Sequence, residues 1–220
     1  GAFQTSYQGG TSNEPVDIGI MKFSSTGRNR VYATYIGGSG NDHPHSMFVD
    51  QQGQLVVIGR TSSDNYPLFP AGNLVGTGGG WDLGVTKLND SGTALVGSMR
   101  IGGDRDDAIN IKTSRTGPDR INNFYGDDSR SEVILDAANN IYIASCTQSS
   151  NFPTSNAFQG TFGGGFQDGV VLKLSPNVNS VLFSSYLGGS KEDGAFVMAL
   201  DPVNNNIYVG GATISNDFPG

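Results

Sequence analysis

His43 and His45 flank Pro44 beside Asp42, and two imidazoles with a carboxylate inside four residues are the beginnings of a transition-metal corner. They are the only histidines in the chain and no further ligand set accompanies them, so a solvated loop is the preferred reading. Asp42, Asp107 and Asp193 each stand four residues after a Gly-Gly pair. A carboxylate and the backbone oxygens of a glycine-rich turn can hold Ca²⁺; the same residues also make an Asx-type turn with no metal. The calcium-loop pattern Asp-x-Asp-x-Asp-Gly is broken at Asp104-Arg105-Asp106-Asp107-Ala108, so no cofactor is expected, with Ca²⁺ the one alternative. A glycosidase needs two carboxylates about 5–10 Å apart across a cleft. Asp107 with Asp127, Asp128 or Glu132 is the pairing on offer; the three glutamates, Glu14, Glu132 and Glu192, fall at unrelated offsets. There is no Gly-x-Ser-x-Gly elbow, phosphate loop or zinc motif. The single cysteine, Cys146, lies in an apolar run and reads as a small strand residue rather than a reactive thiol. The chain is therefore expected not to be an enzyme.

The stretch with most binding chemistry is Asn110 to Arg130. Asn122, Asn123, Phe124 and Tyr125 mix amides with aromatic rings, which suits stacking on a sugar or packing on a protein, and Asp127 and Asp128 add charge. These six residues are the candidate ligand-binding set. The opposing readings are a neutral, drifted loop and a loop that packs on an adjacent module.

The elements that must position these residues come from an internal repeat. One unit carries Asp168-Gly-Val-Val-Leu-Lys173-Leu, Tyr186-Leu-Gly188-Gly189-Ser190, Asp193, Leu200-Asp201, Ile207-Tyr-Val-Gly-Gly-Ala-Thr213 and Phe218-Pro219. The first copy has Asp17, Lys22, Tyr35-Ile-Gly37-Gly38-Ser39, Asp42, Val49-Asp50, Leu55 to Thr61 and Phe69-Pro70; the second has Asp82, Lys87, Gly102-Gly103, Asp107, Leu135-Asp136, Ile141 to Ser145 and Phe152-Pro153. Asp17 to Asp82 is 65 residues and Asp82 to Asp168 is 86, and the extra 21 fall at Asn110–Arg130. In the third copy the apolar runs predict strands over Gly169–Leu174, Val181–Leu187, Ala195–Leu200 and Ile207–Ala212, each bounded by Gly, Pro, Asn or Asp turns. No apolar pattern of helical period persists for ten residues. Within each unit Asp and Lys are five apart, hence on opposite strand faces, so each must reach a neighbouring strand or turn.

The blocks Ala2-Phe3-Gln4 and Ala157-Phe158-Gln159, Asp-x-x-x-x-Lys-[Phe/Leu], Tyr-[Ile/Leu]-Gly-Gly-Ser and Phe-Pro resemble the SBBP family, the bacterial beta-propeller repeat. The resemblance spans the chain except the insertion. The second unit departs from it, with Ala71-Gly-Asn-Leu74 in place of the opening block and Met99-Arg100-Ile101 in place of Tyr-x-Leu. It implies a secreted or cell-surface bacterial protein, with no biochemical activity generally attached to the repeat.

Composition agrees with an all-β protein. Glycine supplies 33 of 220 residues and charged residues only 15%, well under the usual quarter. A net charge of −7 without a Lys/Arg cluster argues against nucleic acid and anionic membrane surfaces as partners. No apolar run is long enough to insert in a membrane as a helix. The expected architecture is an all-β propeller of three four-stranded antiparallel blades: unit 1 at 1–70, unit 2 at 71–155 with the insertion at about 110–130, and unit 3 at 156–220. Propellers close with about four to eight blades. Three are expected to be part of a larger propeller or to close by association with another protomer. The expected role is a non-catalytic adhesive or structural module whose loop face meets a protein or carbohydrate. A propeller hydrolase acting on polysaccharide, and an assembly subunit of an extracellular fibre or surface layer, are the alternatives.

Overall fold

The computed structural model describes residues 1–9, 15–110 and 130–219. They form thirteen strands and no helix: β1 (Ile18–Phe23), β2 (Arg30–Ile36), β3 (Asp42–Val49), β4 (Leu55–Thr61), β5 (Leu74–Gly76), β6 (Asp82–Leu88), β7 (Leu95–Gly102), β8 (Glu132–Leu135), β9 (Ile141–Thr147), β10 (Asp168–Leu174), β11 (Val181–Leu187), β12 (Asp193–Leu200) and β13 (Ile207–Thr213). The four strands expected in the third unit appear within two residues of their sequence bounds.

The expectation of three blades does not hold. The strands make four sheets: β1-β2, β3-β4-β6-β7-β5, β8-β9-β10-β11 and β12-β13. The reason lies in where the fourth strand of a unit pairs. β4 joins β6 of the next unit, antiparallel, from Leu55 opposite Leu88 to Thr61 opposite Asp82. β9 joins β10 in the same way, from Ile141 opposite Leu174 to Thr147 opposite Asp168. Each larger sheet is thus half of one unit and half of the next, so the sheets run two strands out of phase with the sequence repeat. The first two and last two of the repeat strands are left as separate hairpins, and among the described residues no strand joins β1 to β13 to close a ring.

Turn chemistry repeats with the strands. Gly27, Gly92 and Val178 occupy one position of the turn between the first and second strands, all at positive φ (70°, 67° and 55°). Glycine takes this backbone without strain; a β-branched valine does not, and Val178 is held there by full burial in the core.

The main core lies between the two larger sheets, where Val56 and Ile58 of β4, Leu83 and Val85 of β6 and Met99 of β7 meet Val133, Ile141, Ile143, Val170 and Leu172. A second cluster joins Ile18, Ile20, Tyr32 and Ile36 of the first hairpin to Leu55, Val57, Tyr66 and Leu88. Tyr66-Pro67, rather than Phe69-Pro70, therefore takes the place of Phe152-Pro153: Tyr66 and Phe152 are both buried, and their backbone N–H groups donate to the Ser63 and Ser149 carbonyls.

Candidate functional site

The chemistry-bearing residues that recur in every unit converge at the Gly-Gly turns. Asp17, Asp82 and Asp168 open their units and each caps an upstream loop, accepting from the N–H of Gln8 (2.7 Å), Gly79 (3.3 Å) and Gly163 (2.6 Å). Asp42, Asp107 and Asp193 start the third strands or lie at that position. Each accepts the N–H of the second glycine four residues earlier, at 2.9, 2.7 and 2.7 Å. Each also accepts a serine hydroxyl from beyond the fourth strand: Ser63, Ser149 and Ser215. Thr147 adds a further donor to Asp107.

This arrangement explains the glycine pair. A Cβ on Gly102 would lie 1.9 Å from Asp82 Oδ1 and 2.8 Å from Asp107 Oδ2, with the same collision at Gly37 and Gly188. The first glycine is therefore the spacer between two carboxylates. A Cβ on the second glycine would meet the serine and the Asn or Asp two residues after it: at Gly103, Ser149 at 2.3 Å and Asn151 at 2.5 Å. Gly102→Ala is expected to destabilise the fold by about 2–4 kcal/mol, because the added methyl meets buried oxygens on two sides. Chemical denaturation checks this, and a loss below about 0.5 kcal/mol, the scatter of ordinary surface substitutions, would show that the turn has room.

The carboxylate pairs sit in a poorly solvated place. Burial pushes the Asp107 carboxyl up to about 7; the hydrogen bonds from Thr147, Gly103 and Ser149 pull down and the Asp82 charge adds to the rise. Asp168 is also raised to about 7, by burial first and with a contribution from Asp193, against the Gly163 hydrogen bond. Asp42 and Asp82 rise through burial as well, Asp82 despite Arg100. Arg100 Nε stands 3.1 Å from Asp82 and its Nη1 donates to the Ser63 carbonyl at 2.8 Å. The departure of the second unit from the repeat thus supplies a cation to one pair. Asn73 similarly replaces the glutamine of the opening block: its carbonyl accepts the Arg100 N–H, as Gln4 accepts Tyr35 and Gln159 accepts Tyr186.

The repeated lysines reach backward across the unit boundary. Lys87 forms a fully buried ion pair with Asp50 at 2.9 Å, and Lys173 lies 3.8 Å from Asp136 and over the Tyr142 ring. Asp50 and Asp136 also cap their own tight turns, accepting from Gln52 and Gln54 and from Ala138 and Asn140.

The other sequence candidates are placed apart. His43 meets the Trp81 ring edge to face, with Arg60 stacked on the same indole. His45 Nδ1 is 2.9 Å from Ser131 Oγ, and Ser46 donates to Glu132 at 3.0 Å, so this strand face ties β3 to β8. No group of three or more His, Cys, Asp or Glu positioned to hold a metal occurs among the described residues. Cys146 is buried against Phe196, and burial raises its thiol to about 12, which keeps it unreactive. Asn122, Asn123, Phe124, Tyr125, Asp127 and Asp128 lie outside the described residues. Of the proposed acid/base residues, Asp107 is fully buried inside its turn, and Glu132 faces Ser46.

No protein-family model matches the chain, and no curated protein matches it.

Sequence reasoning missed the serines Ser63, Ser149 and Ser215 and the threonines Thr61, Thr147 and Thr213. The signal was present: Thr-x-Ser-x-[Asn/Asp]-[Tyr/Phe]-Pro recurs at all three sites.

Proposed function

We propose that this chain is a propeller-type repeat module of a secreted or cell-surface bacterial protein, of the kind the SBBP repeat represents, and that its role is adhesive and structural. It presents loops to a protein or carbohydrate partner and carries out no chemistry itself. One observation supports this most strongly. The carboxylates, lysines and hydroxyls that recur in every unit are engaged in turns and sheet joints rather than lining a cleft, and away from Lys22 and Asp201 of the two end hairpins most are buried against each other. What varies between units is the inserted segment, with Asn122, Asn123, Phe124, Tyr125, Asp127 and Asp128 as the binding set.

The test is a binding screen on immobilised glycans and surface proteins, run beside a reducing-sugar release assay on the same polysaccharides. Binding without release, lost at least tenfold in a Phe124→Ala/Tyr125→Ala double variant of unchanged thermal stability, is the expected result. Release of reducing ends that disappears in Glu132→Gln would establish the hydrolase instead. A second reading, an assembly subunit of an extracellular fibre or surface layer, is favoured by the outer edges of β1 and β13, which no other strand among the described residues covers.

A further inference from the structure

The chain contains two finished examples of one joint and the two halves of a third. In the finished joints, β4–β6 and β9–β10, the fourth strand of a unit pairs with the first strand of the next over seven residue pairs. Three features accompany them. The turn aspartate before the fourth strand meets the lysine of the first strand, Asp50 with Lys87 and Asp136 with Lys173. The second residue of the fourth strand stands opposite that lysine, Val56 opposite Lys87 and Tyr142 opposite Lys173. The strands on both sides are buried almost throughout.

The half-joints keep every one of these residues and bury almost none of them. β13 is a fourth strand with Tyr208 at the position of Tyr142, preceded by Asp201 at the position of Asp136. β1 is a first strand with Lys22 at the position of Lys87 and Lys173. Tyr208 is 64% exposed where Tyr142 is 3%. Met21 and Phe23 of β1 are each 54% exposed, where Thr86 and Leu88 of β6 are fully buried. Asp201 caps its own turn through Val203 and Asn204, as its counterparts do, but has no lysine against it among the described residues. Lys22 is exposed; among the described residues it donates to the Asp90 carbonyl, at 2.9 Å, and its ammonium lies over the Tyr32 ring with no carboxylate against it.

The apolar surface is complementary too. Leu88, at the position of Phe23, packs on the preceding hairpin in the cluster of Ile18, Ile20, Tyr32 and Ile36. The hairpin pair that precedes β13 is β10–β11, and there an open groove of about 430 Å³ is lined by Val171, Phe183, Leu187, Ile207, Val209 and Phe218, among others. A first strand laid along β13 in the register of the finished joints sends its Phe23 and Met21 into that groove.

We propose that the partner of this surface is a second copy of the chain: β13 takes β1 of the other copy as its next antiparallel strand, with Thr213 opposite Asp17, Tyr208 opposite Lys22 and Ile207 opposite Phe23. Asp201 then clamps Lys22 with the Tyr208 ring beneath the ammonium, and the two hairpins β12–β13 and β1–β2 become one four-stranded sheet. The inference deepens the adhesive and structural reading by naming its partner. Each copy carries both halves, so the contact is head to tail. Two copies joined at both ends make six sheets, four of four strands and two of five, inside the range of about four to eight at which propeller rings close.

The experiment is light scattering and sedimentation of the 220-residue chain at concentrations from about 1 to about 100 µM, with circular dichroism to confirm a folded sheet. A dimer is expected. Asp201→Lys and Lys22→Asp are each expected to weaken it at least tenfold. Mixing the two single variants is expected to restore both joints: at one, Asp201→Lys in one copy faces Lys22→Asp in the other with the signs exchanged, and at the other the unsubstituted Asp201 and Lys22 meet as in the wild type. A folded monomer at the highest concentration overturns the proposal but leaves the adhesive reading standing, because glycan or protein binding is measured separately. A dimer unmoved by either charge reversal places the contact on another surface and also overturns it. If a reversal variant does not fold, the wild-type mass and a Val209→Pro variant, which removes an N–H from the middle of the β13 edge, decide the matter.

Discussion

Asp50→Ala is expected to lower the stability of the fold by about 3–5 kcal/mol, the range for stranding one member of a buried ion pair. Three losses coincide at this residue. The ammonium of Lys87 keeps its place 2% exposed but loses its counter-charge at 2.9 Å, retaining only the Pro176 carbonyl. The N–H groups of Gln52 and Gln54 lose their acceptor, and with it the tight turn that feeds β4 loses its cap. The joint between β4 and β6, which holds two units in one sheet, is loosened at its end. Lys87→Met should cost less, because the thioether fills the same buried path and the Asp50 carboxylate still caps its turn. The control is Asp201→Ala, the same residue of the repeat at the open joint. In the single chain the carboxylate stands in solvent and no buried lysine is stranded, so at concentrations where the chain is monomeric the loss should be a small fraction of that at Asp50. Urea denaturation of the three variants checks the order. Equal losses at Asp50 and Asp201 would show that the turn cap, not the ion pair, carries the energy.

That contrast between two equivalent aspartates also shows what a reader of the sequence could and could not see. The strands were legible because Val, Ile, Leu and Tyr runs such as Ile141–Thr147 are bounded by turn residues whose backbone needs are local. The offset of five between Asp168 and Lys173 showed that both side chains had to leave their own strand, and they do. The partner strand was not legible. Ile207–Thr213 and Ile141–Thr147 have the same pattern, and nothing in either says whether its edge is covered by its own unit or the next one. Grouping strands by unit gave three blades; pairing across units gives two large sheets and two hairpins. The Gly-Gly turn is a similar case. Its recurrence marked it as structural, but that the first glycine separates two carboxylates depends on Asp82 and Asp107, 25 residues apart, meeting at one point. Phe69-Pro70 misled because a second aromatic-proline pair, Tyr66-Pro67, stands three residues before it and only burial distinguishes them.

The carboxylate pairs make the fold a sensor of pH, with more stability in mild acid than in mild base. Asp107 and Asp168 have carboxyls raised to about 7 from an ordinary 3.8. The folded chain therefore binds protons there that the unfolded chain releases. Their contribution is fully present below about 3.8 and is lost as pH rises through about 7. At about 1.36 kcal/mol per unit, the Asp107 shift alone corresponds to something on the order of 4 kcal/mol between about pH 4 and about pH 8. Asp50 and Asp136 work in the opposite sense. Burial alone would raise both, but Lys87 and the turn N–H groups at Asp50, and Asn140, Tyr142 and Ala138 at Asp136, hold them below the ordinary value. Their contribution is present above about 3.8 and is lost as pH falls below it. The two sets place the greatest stability near about pH 4, with a steady fall from there to about pH 7, and the net charge of −7 at pH 7 adds self-repulsion on the alkaline side. Denaturation midpoints in EDTA should fall from about pH 5 to about pH 8 by an amount that Asp107→Asn reduces, since the amide keeps the shape and an acceptor for the Gly103 N–H without a charge to bury. A fold more stable at the higher pH than at the lower would mean that the pairs are solvated or hold a cation when ionised. Those two are separable by titrating Ca²⁺ back at the higher pH: only a bound cation restores stability, and it would do so most at the two pairs that share one glycine with no arginine described beside them, Asp17 with Asp42 and Asp168 with Asp193.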